Sequence, residues 1–202
     1  MTQTIKKQIL ARLQSHGRGR AFTPKDFLDI ANRGSVGRVL AELTDDGHIR
    51  RIKRGLYDYP RHSALLGGEL SPDIDQAARA LARKHRWRIL PTPAIAANLL
   101  GLSQQVPAKV VYLSDGPSKT VQLGRQTVQF KHASSKTIGV KSHVAGLVIQ
   151  ALRYLGRNDV SDNTIQKLRT KLSNDDKQRL LRDTQYAPDW VHEVAKKIAA
   201  GA

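Results

Sequence analysis

Three observations make this chain an α+β protein. Apolar residues recur at helical spacing from residue 4 to residue 45 and again beyond residue 142. Residues 109–130 instead carry three short runs rich in β-branched side chains, two of them alternating with period two. A third, hairpin-like pattern lies at residues 49–59, where two short runs flank Arg54-Gly55.

The elements follow in order. Thr4 to His16 reads as a helix, with Ile5, Ile9 and Leu13 four residues apart and Leu10 beside them. Gly17-Arg18-Gly19-Arg20 breaks it as a flexible, cationic loop able to lie along a phosphate backbone. Thr23-Pro24-Lys25-Asp26 starts a second helix: Thr23 caps, Pro24 suits the first helical position, and Asp26 returns a bond to the cap. Phe27, Leu28, Ile30 and Ala31 supply its buried side, and Asn32-Arg33-Gly34 ends it. Ser35 is expected to cap the next helix, whose Val36, Val39, Leu40 and Leu43 again fall at helical spacing. Asp45-Asp46-Gly47 stops that helix, with Gly47 placed for a left-handed C-terminal conformation. The hairpin then runs from Ile49 to Tyr59 and is crowded by Arg50, Arg51, Lys53 and Arg54.

Residues 60–72 read as a linker containing Gly67-Gly68 and a Ser-Pro step. Beyond it come a helix over 73–86, a short strand at 87–90 and a helix over 93–100 ended by Gly101. The strands Lys109–Ser114, Thr120–Leu123 and Thr127–Phe130 follow, the last two pairing as a hairpin. Val144, Leu147, Val148, Ala151 and Leu155 mark another helix, and Ser161, Ser173 and Pro188 open three more. The expected organisation is an N-terminal winged helix-turn-helix over 1–62, a linker over 63–72, and a domain with a small β-sheet and several helices over 73–202.

Charge says most about partners. Lys and Arg number 34 against 17 Asp and Glu, a formal net charge of +17, so a polyanion is the natural ligand. Residues 1–62 hold 13 basic and 6 acidic side chains, a balance of +7, and the rest of the chain holds the other +10. The second part is therefore basic as well, and either also touches nucleic acid or meets an acidic protein. With no cysteine, disulfides and thiolate metal sites are excluded, which fits a reducing cytoplasm. The N-terminus lacks the apolar core of a signal peptide, and the most apolar run, Val144–Leu152, is too short for a membrane helix.

A helix fits the major groove of double-stranded DNA, and a neighbouring hairpin reaches adjacent phosphates. The residues at the start of the second helix of a helix-turn-helix meet base edges. Here those are Ser35, Gly37 and Arg38, with Arg33 just before them. Arg38 is the candidate for direct readout, because a guanidinium bonds guanine bidentately. Gly37 would permit close backbone approach, and Ser35 has the competing duty of the cap. Arg50, Arg51, Lys53 and Arg54 would be the cationic wing on the phosphates.

Catalytic chemistry has little purchase here. Gly34-Ser35 before Asp45-Asp46 invites a nucleotidyltransferase reading, but adjacent carboxylates at a helix end do not project together as metal ligands must, and a helix stop is the simpler account. Asp115–Thr120 lacks phosphate-loop spacing and reads as a turn. Ser134–Thr137 reads as a polar loop whose hydroxyls and lysine could hold a phosphate. The seven histidines show neither metal spacing nor a nucleophile partner. No enzyme activity, cofactor or metal is expected.

With these elements placed, the chain resembles the AbiEi-like antitoxins of bacterial type IV toxin–antitoxin systems. The motifs are the Ser35-Val36-Gly37-Arg38-Val39-Leu40 run and the Gly47–Tyr57 hairpin, then Pro91-Thr92-Pro93, Asn98-Leu99-Leu100-Gly101-Leu102, the Val110–Ser114 strand and the Val121–Lys131 hairpin. The resemblance implies a cytoplasmic transcriptional autorepressor that binds inverted repeats in its promoter and opposes a nucleotidyltransferase-like toxin. It implies that Arg33, Arg38 and the wing contact the operator, while the C-terminal domain carries antitoxicity. A stand-alone winged-helix transcription regulator, its C-terminal domain sensing a ligand or building an oligomer, stays open beside it. An enzyme acting on nucleic acid would need a convergent carboxylate or nucleophile cluster in residues 73–202, and the sequence offers none.

Overall fold

The computed structural model describes residues 2–105, 109–124, 126–134, 138–139, 142–185 and 187–200. It is an α+β protein with eight α-helices and three small sheets among these residues. It divides into two compact units, residues 1–87 with 120–128, and residues 88–119 with 129–202. Among the described residues no helix is long and apolar enough to cross a membrane.

The first unit begins with α1 (Thr2–His16) and β1 (Ala21–Phe22). The second helix expected from Thr23 is only a short 3₁₀ turn, Pro24–Phe27. Its start is as the sequence indicates: Asp26 Oδ2 accepts from the Thr23 backbone N–H at 2.7 Å and from its hydroxyl at 3.3 Å. Ile30 and Ala31 then donate to the Phe27 carbonyl, and the chain turns into α2 (Arg33–Asp45). β2 (Arg50–Lys53) and β3 (Leu56–Asp58) form the hairpin, and β3 lies centrally in a sheet of order β1-β3-β2. Gly55 takes φ +74° at the turn, a conformation that disfavours any side chain.

This unit closes around Ile9, Leu13, Phe22, Phe27, Val36, Val39, Leu40, Leu43, Ile49 and Tyr57, each with at most 9% exposure. Phe22 meets Phe27 edge-on at 5.4 Å and stacks on Tyr57 at 6.1 Å, so aromatic residues from three short segments tie the sheet to the helices. The expected linker contains β4 (His62–Ser63) and β5 (Gly68–Glu69), which pair with each other.

α3 (Ile74–His85) belongs to this first unit and not to the second, so the compact units part later than the expected 63–72 boundary. The physical reason is that α3 packs on β1 and β3 and is tied to the 21–26 segment. Arg83 donates to the Ala21 carbonyl at 3.0 Å and pairs with Asp26 at 3.3 Å, and Lys25 donates to the Lys84 carbonyl.

The second unit contains β6 (Ile89–Pro91), α4 (Pro93–Leu99) and β7 (Val110–Ser114). β8 (Lys119–Leu123) and β9 (Gln126–His132) come next in the chain, and their residues 120–123 and 126–128 fall with the first unit. α5 (His143–Leu155), α6 (Asp162–Lys171), α7 (Asn174–Asp183) and α8 (Asp189–Ala199) follow. Ser142, Ser161 and Ser173 each accept a backbone N–H three residues on, as the sequence predicts for helix starts. The core joins Ala96 and Ala97 of α4 to Ala145, Val148, Ala151 and Leu152 of α5, then to Leu168, Leu180, Val191 and Ile198. Small side chains on both α4 and α5 let the two backbones approach closely.

Candidate nucleic-acid interface

The start of α2 carries the first group of candidate residues. Its cap is Asn32 and not Ser35: Asn32 Oδ1 accepts from the Ser35 backbone N–H at 3.0 Å. Asparagine caps as well as serine, and starting three residues earlier places Arg33 and Gly34 inside the first turn. Ser35 is thereby relieved of the capping duty its position suggests, and its hydroxyl has no partner among the described residues. Val36, Val39, Leu40 and Leu43 are fully buried, which fixes the rotation of the helix. Gly34, Arg38 and Ala41 are consequently turned to solvent. A Cβ placed on Gly37 would meet nothing within 4 Å. The exposed side of the first two turns is thus low and uncluttered, with Arg33 and Arg38 standing out from it and unpaired among the described residues.

The hairpin splits the second group. β3 sits between β1 and β2, and the register sets Arg50 directly across from Asp58. Asp58 is buried, and Arg50 grips it bidentately, Nε to Oδ1 at 3.1 Å and Nη2 to Oδ2 at 2.7 Å. A third bond reaches Glu69 at 3.4 Å. The Asp58 bond raises the Arg50 guanidinium above its ordinary value, against the opposing effect of burial. Arg50 is therefore the counter-ion of a buried carboxylate, with little left for a phosphate. Arg51, Lys53 and Arg54 are exposed and unpaired among the described residues. A bulge between Arg51 and Lys53 twists the strand just before the turn. Of the four hairpin cations, three are free to meet an anion.

One residue here escapes sequence reasoning. Lys84, on α3, sets its Nζ 3.6 Å from where a Gly55 Cβ would stand, so a fourth cation flanks the hairpin turn. Nothing in the local sequence links positions 55 and 84; only the docking of α3 does. The Gly17–Arg20 segment also differs from the loose cationic loop expected. Gly17 and Gly19 take φ +79° and +90°, Gly19 N–H donates to the Tyr59 carbonyl, and Arg18 donates to the Pro60 carbonyl while covering the Tyr59 ring at 4.5 Å.

The scaffold below is pinned by ion pairs. Lys6 donates to Asp46 at 2.6 Å, just past the end of α2. This employs Asp46 as a helix-end partner and leaves Asp45 at the last helical position, in keeping with the helix-stop reading. Arg12 holds Asp29 bidentately at 2.8 and 2.6 Å and keeps its carboxyl below the ordinary value. Asp115 pairs with Arg88 at a bend, and the turn expected over Asp115–Thr120 is shorter than that, since Lys119 and Thr120 belong to β8. Of the Ser134–Thr137 loop, residues 135–137 lie outside the described residues. Among the described residues no group of three histidine or carboxylate side chains could hold a metal ion.

This geometry defines a basic α+β protein that displays an uncluttered cationic helix start and a three-cation hairpin. The chain belongs to the family of unknown function DUF6088, whose model matches residues 8–180. No curated protein matches it.

Proposed function

We propose that residues 1–62 form a winged helix-turn-helix that binds double-stranded DNA, and that the protein is a cytoplasmic transcriptional autorepressor of a type IV toxin–antitoxin operon. The observation that carries the DNA-binding reading is the set of five exposed cations, Arg33, Arg38, Arg51, Lys53 and Arg54, that have no protein counter-charge among the described residues. Cations left unpaired on a helix start and an adjoining hairpin suit a phosphate backbone with base edges between. The order helix, strand, helical turn, helix, strand, strand, with the first strand beside the last, also supports it. In this reading α2 is the recognition helix, the hairpin is the wing, and the 24–27 turn stands where the first helix of the motif runs.

The antitoxin role rests on the resemblance of the ordered motifs from Ser35 to Lys131, and the partner it names is a nucleotidyltransferase-like toxin. The test is direct. The full-length protein should shift a duplex taken from its own upstream region, and Arg38→Ala should reduce preference for that duplex over a scrambled one. Equal affinity of the wild type for both duplexes would overturn sequence-specific repression. Co-expression with the product of the adjoining gene should restore growth that this product alone arrests; growth arrest in both cases would overturn the antitoxin role while leaving DNA binding untouched.

A further inference from the structure

A second cationic cluster lies in the first unit, away from the helix start and the hairpin. Arg18 and Arg20 from the α1–β1 loop, Arg61, and Arg79 and Arg83 from α3 line a cavity of about 440 Å³. That volume falls within the roughly 300–1,000 Å³ of small-ligand sites. No residue of α2 or of the β2–β3 hairpin lines it.

Five guanidiniums around one hollow repel each other, and the protein offsets only part of this. Arg61 pairs with Asp73 at 3.5 Å, Arg79 with Asp75, and Arg83 with Asp26 at 3.3 Å. Arg18 is held by the Pro60 carbonyl and the Tyr59 ring, which carry no full charge. Arg20 is half-buried and has no hydrogen-bond partner among the described residues. Burial, and then the nearby charge of Arg83, push its guanidinium below the ordinary value, with Asp26 opposing. Three carboxylates against five guanidiniums leave two positive charges without a partner.

The anchors also fix geometry. Each guanidinium has five N–H donors in a rigid fork, and the protein bonds occupy only some of them. The Arg79 Nε–H is buried without an acceptor among the described residues, a donor left over beside the Asp75 pair. Gly19 lines the hollow at φ +90°, and a Cβ there would stand 2.7 Å from Arg61 Nε, so the bare backbone makes room for the arginine.

We propose that this cavity is a binding site for the diphosphate group of a small phosphorylated molecule. A diphosphate carries at least two negative charges to match the two uncompensated guanidiniums, and its oxygens suit bidentate arginine forks. A hollow, unlike a ridge, takes a compact anion more readily than the convex backbone of a duplex. The site is independent of the DNA-binding reading.

The test uses full-length protein and inorganic pyrophosphate in isothermal titration at low salt, beside anisotropy titration of a labelled duplex. Wild type should bind one pyrophosphate saturably, Arg20→Ala should weaken this about tenfold or more, and Arg20→Lys, which keeps charge but loses the fork, should fall between. Arg51→Ala should leave pyrophosphate affinity unchanged, and Arg20→Ala should leave duplex affinity unchanged. If Arg20→Ala does not fold, the exposed Arg18→Ala carries the same expectation. Absence of saturable pyrophosphate binding by the wild type, or unchanged binding by the variants, overturns the site. An equal loss of duplex affinity in Arg20→Ala would make the cavity part of a nucleic-acid surface and overturn the small-ligand assignment.

Discussion

Replacing Arg51, Lys53 and Arg54 together by alanine should cut the salt dependence of DNA binding without unfolding the protein. The three side chains are exposed and have no partners among the described residues, so their removal orphans no buried group and breaks no ion pair there. If each meets one phosphate, each releases close to one counter-ion. The slope of log affinity against log salt should then become shallower by about 0.9 per contact, or about 2.7 for the three. Between about 50 and 200 mM salt that removes roughly a 40-fold share of the wild-type fall in affinity. Anisotropy titrations of one duplex at four salt concentrations measure this, with a scrambled duplex in parallel, since backbone contacts act on both alike. An unchanged slope would refute the wing assignment, and a lowered melting temperature would show that these cations serve the fold. Arg50 belongs outside the variant, because its charge is already spent on Asp58 and Glu69.

Arg50→Ala should instead destabilise the protein by about 2–3 kcal/mol, below the roughly 3–5 kcal/mol of a fully buried pair, because the Arg50 side chain keeps 28% exposure while Asp58 has 2%. Urea unfolding reads this, and the Arg50→Ala salt slope should match wild type at protein concentrations where the variant is folded. Arg38→Ala should lose about 1–3 kcal/mol of discrimination between cognate and scrambled duplexes while the melting temperature stays put. Leu40→Ala, at a fully buried position of α2 in the first unit's core, should cost about 2–5 kcal/mol in urea unfolding; a smaller loss would mean that α2 is poorly packed. Asp115 gives the pH prediction. Burial raises its carboxyl, but the hydrogen bonds and charge of Arg88 outweigh this and hold it below 3.8. A lowered folded value means that its stabilisation is fully present above 3.8 and fades as pH falls through the folded value. The stability gap between wild type and Asp115→Asn should therefore shrink in acid, and a constant gap across pH would refute it.

Much of this structure is readable from local pattern. Helix starts at Ser142, Ser161 and Ser173 are legible because a serine able to accept the backbone N–H three residues on stands at the head of each run. The strands at 119–123 and 126–132 follow from alternation, since one face of each is buried, and that at 110–114 from its β-branched run. Two local readings differ in instructive ways. Thr23–Asp26 forms the expected start, yet only a 3₁₀ turn follows, because the chain must re-enter the core at Phe27 and turn again by Asn32. Asn32 and Ser35 are both competent caps, and sequence spacing alone does not choose between them.

The candidate interface shows where pattern stops. Arg50, Arg51, Lys53 and Arg54 are four equivalent cations in a sequence. Their separation into one structural residue and three free ones depends on which residue the sheet register sets opposite a buried aspartate, and register is a pairing between strands. Lys84 beside the hairpin turn and the five arginines of the cavity are likewise brought together from segments up to some sixty residues apart.

The sequence by itself determined the α+β class, most of the helices and longer strands, the apolar faces of the helices and the strongly basic character. These are carried by composition and by periodicities within a few turns of chain. The tertiary structure alone decided that α3 joins the first unit, that Arg50 is neutralised while Arg51 is not, and that arginines from α3 and the α1–β1 loop share one hollow. Charge is a property of each residue, but whether a charge is free is a property of its neighbours, and those neighbours are chosen by folding.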